Sequence, residues 1–194
     1  MNSRDMRGKV APSAPEHPKV VDLQRFAPAY ITWISNKLSR GASRHYLQEF
    51  GIGIETWRCM ALLAYQEAAS AQEASKIIGM DKASISRCFK NMLDASLIMM
   101  DSDPADGRLK IARLTGKGRE LHDSIVGVAL ERERAFMSVL SPAERDVFVN
   151  LLQRLHENLP QVEIATSTYL AENFHGAADR RAGKKRRSAG SVGE

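Results

Sequence analysis

The sequence predicts a mainly α-helical fold, a winged helix-turn-helix with a β-hairpin wing, framed by N- and C-terminal helices. Three observations carry this expectation. Apolar residues recur at helical spacing along most of the chain. Two helix-start signals stand on either side of a Gly79-Met80-Asp81 turn. The period then turns strand-like on both sides of one turn-forming stretch, Ser102 to Gly107.

The elements follow in order. Residues 1–22 are rich in Pro, Lys and Ser and read as a disordered segment; they lack the apolar run of a secretory signal. Leu23, Phe26, Tyr30, Ile34, Leu38, Leu47 and Phe50 predict one long helix over about 23–50, interrupted by Gly51 and Gly53. A second helix, about 55–66, carries Trp57, Met60, Ala61 and Ala64 on its apolar side. Ser70-Ala71-Gln72-Glu73 is a capping box, in which the hydroxyl takes a free amide proton while the glutamate reaches back. It opens a short helix over 71–78 that ends at Gly79. Asp81 caps the next helix, about 82–95, with Ile85, Phe89, Met92 and Leu93 facing inward.

Short helix, tight Gly turn and second helix is the grammar of a helix-turn-helix. The segments 97–100 and 108–113 then read as strands, and Pro104 and Gly107 supply the turn between them. Thr115 caps a helix running to about Leu140 through Leu121, Ile125, Val128, Ala129 and Phe136. Ser141-Pro142-Ala143-Glu144 is a second capping box, with Pro at the first helical position. It opens a helix through Val147, Phe148, Leu151, Leu152, Leu155 and Leu159. The expected organisation is one domain over 23–160, with the winged helix at about 54–114 and flanking terminal helices at about 23–50 and 115–160. A possible extra helix (161–175) and a disordered basic tail (176–194) follow.

The net charge of +5 points toward nucleic acid, but its position matters. The tail cations Arg180, Arg181, Lys184, Lys185, Arg186 and Arg187, set against Asp179 and Glu194, supply +4 of it. The high pI therefore reports the tail rather than the folded body; such a tail serves as a solvated segment or contacts the DNA backbone. No apolar run reaches the roughly 18–20 residues of a membrane helix, so no membrane is expected. Two cysteines, Cys59 and Cys88, are too few for a disulfide framework and fit a reducing cytoplasm, with the protein associated with the nucleoid.

A helix-turn-helix followed at once by a hairpin assigns roles to particular side chains. On the 82–95 helix, the side opposite the apolar residues presents Lys82, Ala83, Ser86, Arg87 and Lys90. Arg87 suits bidentate guanine readout. Ser84 and Ser86 suit phosphates or base edges, while Lys82 and Lys90 suit phosphates or plain solvation. Ser70 and Gln72 could hold a phosphate on the free amides of the preceding helix. At the hairpin tip, Arg108 stands where a guanidinium can enter a minor groove, and Asp106 is spaced to orient it.

The stretch ASKIIGMDKASISRCFKNMLDASLIMMDSDPADGRLKIARLTGKGREL resembles the multiple antibiotic resistance regulator (MarR) family of winged-helix transcription factors. The most specific part is Asp103-Pro104-x-Asp106-x-Arg108 followed by Leu114-Thr115-x-x-Gly118-Arg119. Upstream, Ser43-Arg44, Phe50-Gly51-Ile52 and Trp57 match the family's first two helices, and Leu140-Ser141-Pro142-Ala143-Glu144-Arg145 matches the start of its last. The resemblance covers about 23–160 and departs from the family at Asp81-Lys82-Ala83-Ser84 and at Ser96, where the family often has Gly. It implies a transcriptional regulator, more often a repressor, with the 82–95 helix in the major groove of double-stranded DNA and Arg108 in the minor groove.

The terminal helices carry more apolar surface than a lone winged helix can cover. Leu23, Phe26, Phe148, Leu151, Leu152, Leu155 and Leu159 either finish an intrachain core or contact a second copy, and the resemblance implies the second copy. A homodimer would read a pseudo-palindromic operator. The resemblance also implies a pocket for a small aromatic or heteroaromatic carboxylate, linked to a catabolic pathway, that releases DNA. Trp33, Asn36, Lys37, Arg40, His45 and Arg58 are its candidate lining, an aromatic with cations and hydrogen-bonding groups, set against their plainer reading as surface charge and a core Trp.

Two other mechanisms and another class remain open. A redox-responsive regulator would use Cys88, whose thiol Arg87 could acidify, or Cys59 among apolar residues. A ligand-independent architectural DNA binder would show weak sequence preference. Metal sensing would rest on His45 with Glu49 or His122 with Asp123, but no dense His/Cys cluster exists, so no metal is expected. Catalysis is not expected either: there is no nucleophile elbow, phosphate-cradling Gly loop or HExxH, and Glu131 and Glu133 read as a charged helix face. No cofactor is expected.

Overall fold

The computed structural model of the chain describes residues 20–102 and 109–174. Among these residues the elements are α1 (Ala27–Phe50), α2 (Ile54–Gln66), β1 (Ala69–Ser70), α3 (Ala71–Ile78), α4 (Lys82–Asp94), β2 (Ile98–Ser102), β3 (Lys110–Leu114), α5 (Gly116–Phe136), α6 (Pro142–Glu157) and α7 (Leu159–Asn173). The fold is a mainly helical winged helix. The chain divides into two units, one ending at Leu130 and one starting at Glu131.

In the first unit, the sheet order is β1-β3-β2, all antiparallel. Ile98 pairs with Leu114 and Ser102 with Lys110, so β2 and β3 form the hairpin that the change of period predicts. The third strand was not expected. Ala69 and Ser70 pair with Ala112 and Ile111, tying the start of α3 to the hairpin base. Two residues are too short a run for alternation to register.

The core of this unit lies between α2, α3, α4 and the sheet. Met60, Leu63, Ala74, Ile85, Phe89, Met92, Ile98 and Ala112 are all buried in it. Leu93, expected to face inward, is 43 % exposed, and Cys88 takes the inward position instead. A smaller cluster joins α1, α2 and α5 through Ala42, Tyr46 and Ile125, with Trp57 packed against it.

Helix ends follow local chemistry. The first helix starts at Ala27 rather than at Leu23, because Pro28 stands in its first turn and residues 23–25 form a turn closed by Arg25 N donating to Asp22 O (3.1 Å). At the end of α4, Leu97 N donates to Met92 O and Ser96 N to Leu93 O, both at 2.8 Å. That bond pair is a Schellman motif, and it puts Ser96 at φ 57°, a conformation that favours Gly. Thr115 does cap α5: Gly118 N donates to its Oγ1 at 3.0 Å, while the Thr115 hydroxyl donates to Ser96 O at 2.8 Å. Gly118 is required there, since a Cβ would stand 1.9 Å from Leu97 O.

The expectation that this helix runs to Leu140 is corrected, because α5 ends at Phe136 and a 3₁₀ turn, Met137–Val139, follows. In the second unit, Ser141 and Glu144 form the capping box of α6: Glu144 N donates to Ser141 Oγ at 3.4 Å and Ser141 N to Glu144 Oε2 at 2.8 Å. Leu159, expected on this helix, opens α7 instead, where Pro160 stands in the first turn and Pro lacks the amide proton that would continue α6. The possible extra helix is therefore longer at its start than expected. None of the described residues of α6 or α7 is buried.

Candidate nucleic-acid interface

Two capping arrangements position the helix-turn-helix. At the start of α3, Ser70 N and Ser70 Oγ both donate to Glu73 Oε2 at 2.8 Å, and Glu73 N donates back to Ser70 Oγ at 3.2 Å. Gly79 at φ 74° ends the helix, and Ser75 Oγ donates to Met80 O (2.7 Å) across the turn. Asp81 then starts α4, accepting from Ser84 N at 2.8 Å and from Ser84 Oγ at 2.6 Å. The Ser84 hydroxyl and amide, followed by the Arg87 charge, hold the Asp81 carboxyl below the usual carboxylate range.

The alternation of burial along α4 sorts its side chains. Ile85, Cys88, Phe89 and Met92 face the core, and Lys82, Ala83, Ser86, Arg87 and Lys90 are exposed. Arg87 is folded back, its Nη2 donating to Ser84 Oγ at 2.8 Å, so Asp81, Ser84 and Arg87 form one chain of hydrogen bonds. Ser84 is half-buried and its hydroxyl is engaged on both sides.

Ser70 is 2 % exposed, and both its hydroxyl and its amide are engaged with Glu73 in the capping box, so neither is a free donor to a phosphate; Gln72 beside it is exposed. Asp106 and Arg108 lie outside the described residues. On the strands leading to them, exposed Lys110 and Arg113 were not singled out from the sequence, and Lys110 Nζ donates to Ser102 Oγ at 2.8 Å across the hairpin. Exposed Lys76 on α3 was missed too. The signal for all three was a cation at a polar position of an element already assigned to the motif.

The six candidate effector residues divide differently. Trp33, Asn36, Lys37, Arg40 and His45 are all exposed along α1, with Trp33 edge-to-face against Tyr30 at 5.5 Å. Arg58 on α2 is half-buried and donates to Ser39 Oγ at 2.7 Å, which does bring it to α1. The inner aromatic cluster uses other residues. Trp57 stacks on His122 at 5.4 Å and 14°, with Tyr46 tilted against it at 5.6 Å. His122 Nδ1 lies 2.8 Å from Asp123 Oδ1, so this pair is in hydrogen-bonding contact beside the Trp57 indole. Two clefts, of about 360 and 530 Å³, lie on α6 and its C-terminal end, and none of the six residues lines either.

No family model matches the chain. Its solved-structure likenesses include a MarR/EmrR family transcriptional regulator from Acinetobacter sp. ADP1, 33 % identical, covering 73 % of this chain and 99 % of that one with a TM-score of 0.68. An uncharacterized HTH-type transcriptional regulator of Bacillus subtilis (strain 168), YdgJ, is 27 % identical over 116 residues, 58 % of this chain and 69 % of its own length. The fold is also that of Bordetella bronchiseptica BpsR, whose structure concerns regulation of its DNA binding by 6-hydroxynicotinic acid. BpsR is 22 % identical and covers 67 % of this chain and 98 % of its own, with a TM-score of 0.54.

Proposed function

The chain belongs to the MarR family of transcriptional regulators, and from that premise we propose a homodimeric repressor that reads a pseudo-palindromic operator in double-stranded DNA and leaves it on binding a small aromatic or heteroaromatic acid. The observation that carries the DNA reading is α4, whose inner side is fully committed to the core while Lys82, Ser86, Arg87 and Lys90 stand exposed on the other. Arg87 reads a base, Lys82 and Lys90 take phosphates, and Ala83 and Ser86 approach the base edges. Arg108, oriented by Asp106, enters the adjacent minor groove.

The dimer reading rests on apolar surface that the chain leaves uncovered. Leu23 and Phe26 before and at the start of α1, and Leu151, Leu152, Leu155 and Leu159 on the last two helices, are each more than a third exposed. The effector reading rests on the row of exposed cations and Trp33 on α1, with Arg58 docked beside it, and on BpsR, whose ligand is such an acid. The ligand acts by binding unequally to the DNA-competent and released arrangements.

The test is DNA binding over a salt series with wild type, Arg87→Ala and Arg108→Ala. Arg108→Ala weakens binding on most sequences, and Arg87→Ala also relaxes base preference by about 1–3 kcal/mol at one position. Wild-type behaviour in both variants would refute the interface. Thermal unfolding against a panel of aromatic acids tests the effector: a ligand at 100 times its Kd adds about 2.7 kcal/mol to stability.

A further inference from the structure

The hydrogen bonds at the start of α4 run in one direction. Asp81 Oδ1 accepts from Ser84 N at 2.8 Å, and Asp81 Oδ2 accepts from Ser84 Oγ at 2.6 Å. An ionised carboxylate only accepts, so the Ser84 hydroxyl gives its single proton to Asp81. Its lone pairs are left facing the other way, and Arg87 Nη2 donates into them at 2.8 Å. Arg87 follows Ser84 by three residues, so this bond draws the guanidinium toward the N-terminal end of α4. That is the end a recognition helix turns to the bases.

The bond leaves Arg87 able to read a base. A guanidinium has two edges that donate in parallel, one formed by Nε with Nη2 and the other by Nη1 with Nη2. Each Nη2 proton belongs to only one of them. Whichever proton meets Ser84, one edge stays whole for a bidentate contact. Asp81 has no such direct use, since a carboxylate at this end of the helix repels phosphates, and an uncharged Ser or Asn would cap α4 without that repulsion.

We propose that Asp81 and Ser84 are positioning residues that set base specificity by holding the Arg87 guanidinium in its reading geometry, with Ser84 itself touching no DNA. This role rests on the reading of α4 given above. Side-chain torsions fixed before binding lower the ordering cost of the contact. A held guanidinium also cannot swing to a phosphate or a neighbouring base when the wrong pair faces it, so the mismatch stays unpaired and costs more.

The full chain is tested on the duplex enriched from a random pool and on its single-base-pair variants, with discrimination read as the ratio of Kd values. Ser84→Ala should lower that ratio by about fivefold or more at the same base pair that Arg87→Ala relaxes. Ser84→Thr, which keeps the hydroxyl, should restore it. Asp81→Asn still accepts from the Ser84 amide but sets an NH2 against the hydroxyl, so it should lose discrimination while α4 stays capped. In an Arg87→Ala chain, Ser84→Ala should change the ratio no further, and urea midpoints separate these effects from lost stability. A wild-type ratio in Ser84→Ala, or equal weakening on every duplex, would overturn the positioning role, the second outcome making Ser84 a direct phosphate contact. A wild-type ratio in Arg87→Ala would overturn the α4 reading itself, and this role with it.

Discussion

The unit ending at Leu130 and the unit starting at Glu131 use apolar residues in opposite ways. In the first, Met60, Leu63, Ile85, Phe89, Met92 and Ile98 are sealed in one continuous core. In the second, Met137 is the one buried hydrophobic residue among those described, and Val147, Leu151, Leu155, Val162, Ile164, Tyr169 and Leu170 are all exposed. Caps cannot explain the contrast, since a complete capping box opens a helix in each unit. The first unit is stabilised by its own burial, whereas the second has well-formed helices whose apolar faces stay exposed. In the proposed account a second copy of the chain covers them.

Substitutions sharpen the contrast. The largest effect is expected from Leu63→Ala, a fully buried side chain whose loss costs about 2–5 kcal/mol at any protein concentration in urea unfolding. Leu155→Ala, at a site 53 % exposed, should matter through assembly alone and shift the unfolding midpoint with protein concentration. A concentration-independent change below about 0.5 kcal/mol at Leu155 would break the comparison.

Within α5 the same logic separates two glycines. Gly118→Ala drives a Cβ into the Leu97 carbonyl and should cost about 3 kcal/mol. Gly127→Ala meets nothing within 4 Å and should add about 0.5–1 kcal/mol through helix propensity. Ser96→Gly relieves a left-handed φ in a Schellman turn and should raise stability by up to about 1 kcal/mol, read as a higher urea midpoint.

The smallest effect is the acid limb at Asp81. Its carboxyl titrates below the usual range because the charged form is hydrogen-bonded, so its contribution is complete above the unfolded value and is lost as pH falls from about 4 through its lower folded pKa. Asp81→Asn should flatten that part of the stability–pH profile. An unchanged profile would count against the cap.

Much of this was legible because it is local. Ser70 with Glu73, Ser141 with Glu144, and Asp81 before an apolar-periodic run all signal helix starts within four residues, and each does start a helix. The wing strands were legible from the change in period. What depends on distant pairing was not. Ala69 and Ser70 form a strand only because Ala112 and Ile111 lie opposite them, and Ser70 is buried there. His122 finds Trp57, and Cys88 turns into the core in place of Leu93, across separations that no periodicity records. The break at Asn158 was readable in Pro160 but hidden by a leucine spacing that runs through it.

Selection of bound duplexes from a random double-stranded pool tests the central claim most directly. The account predicts enrichment of a two-fold symmetric sequence with half-site centres about one helical turn apart, and relaxed preference at one position of each half-site with Arg87→Ala. A pool that stays random, or the same enriched sequence with Arg87→Ala, would contradict it.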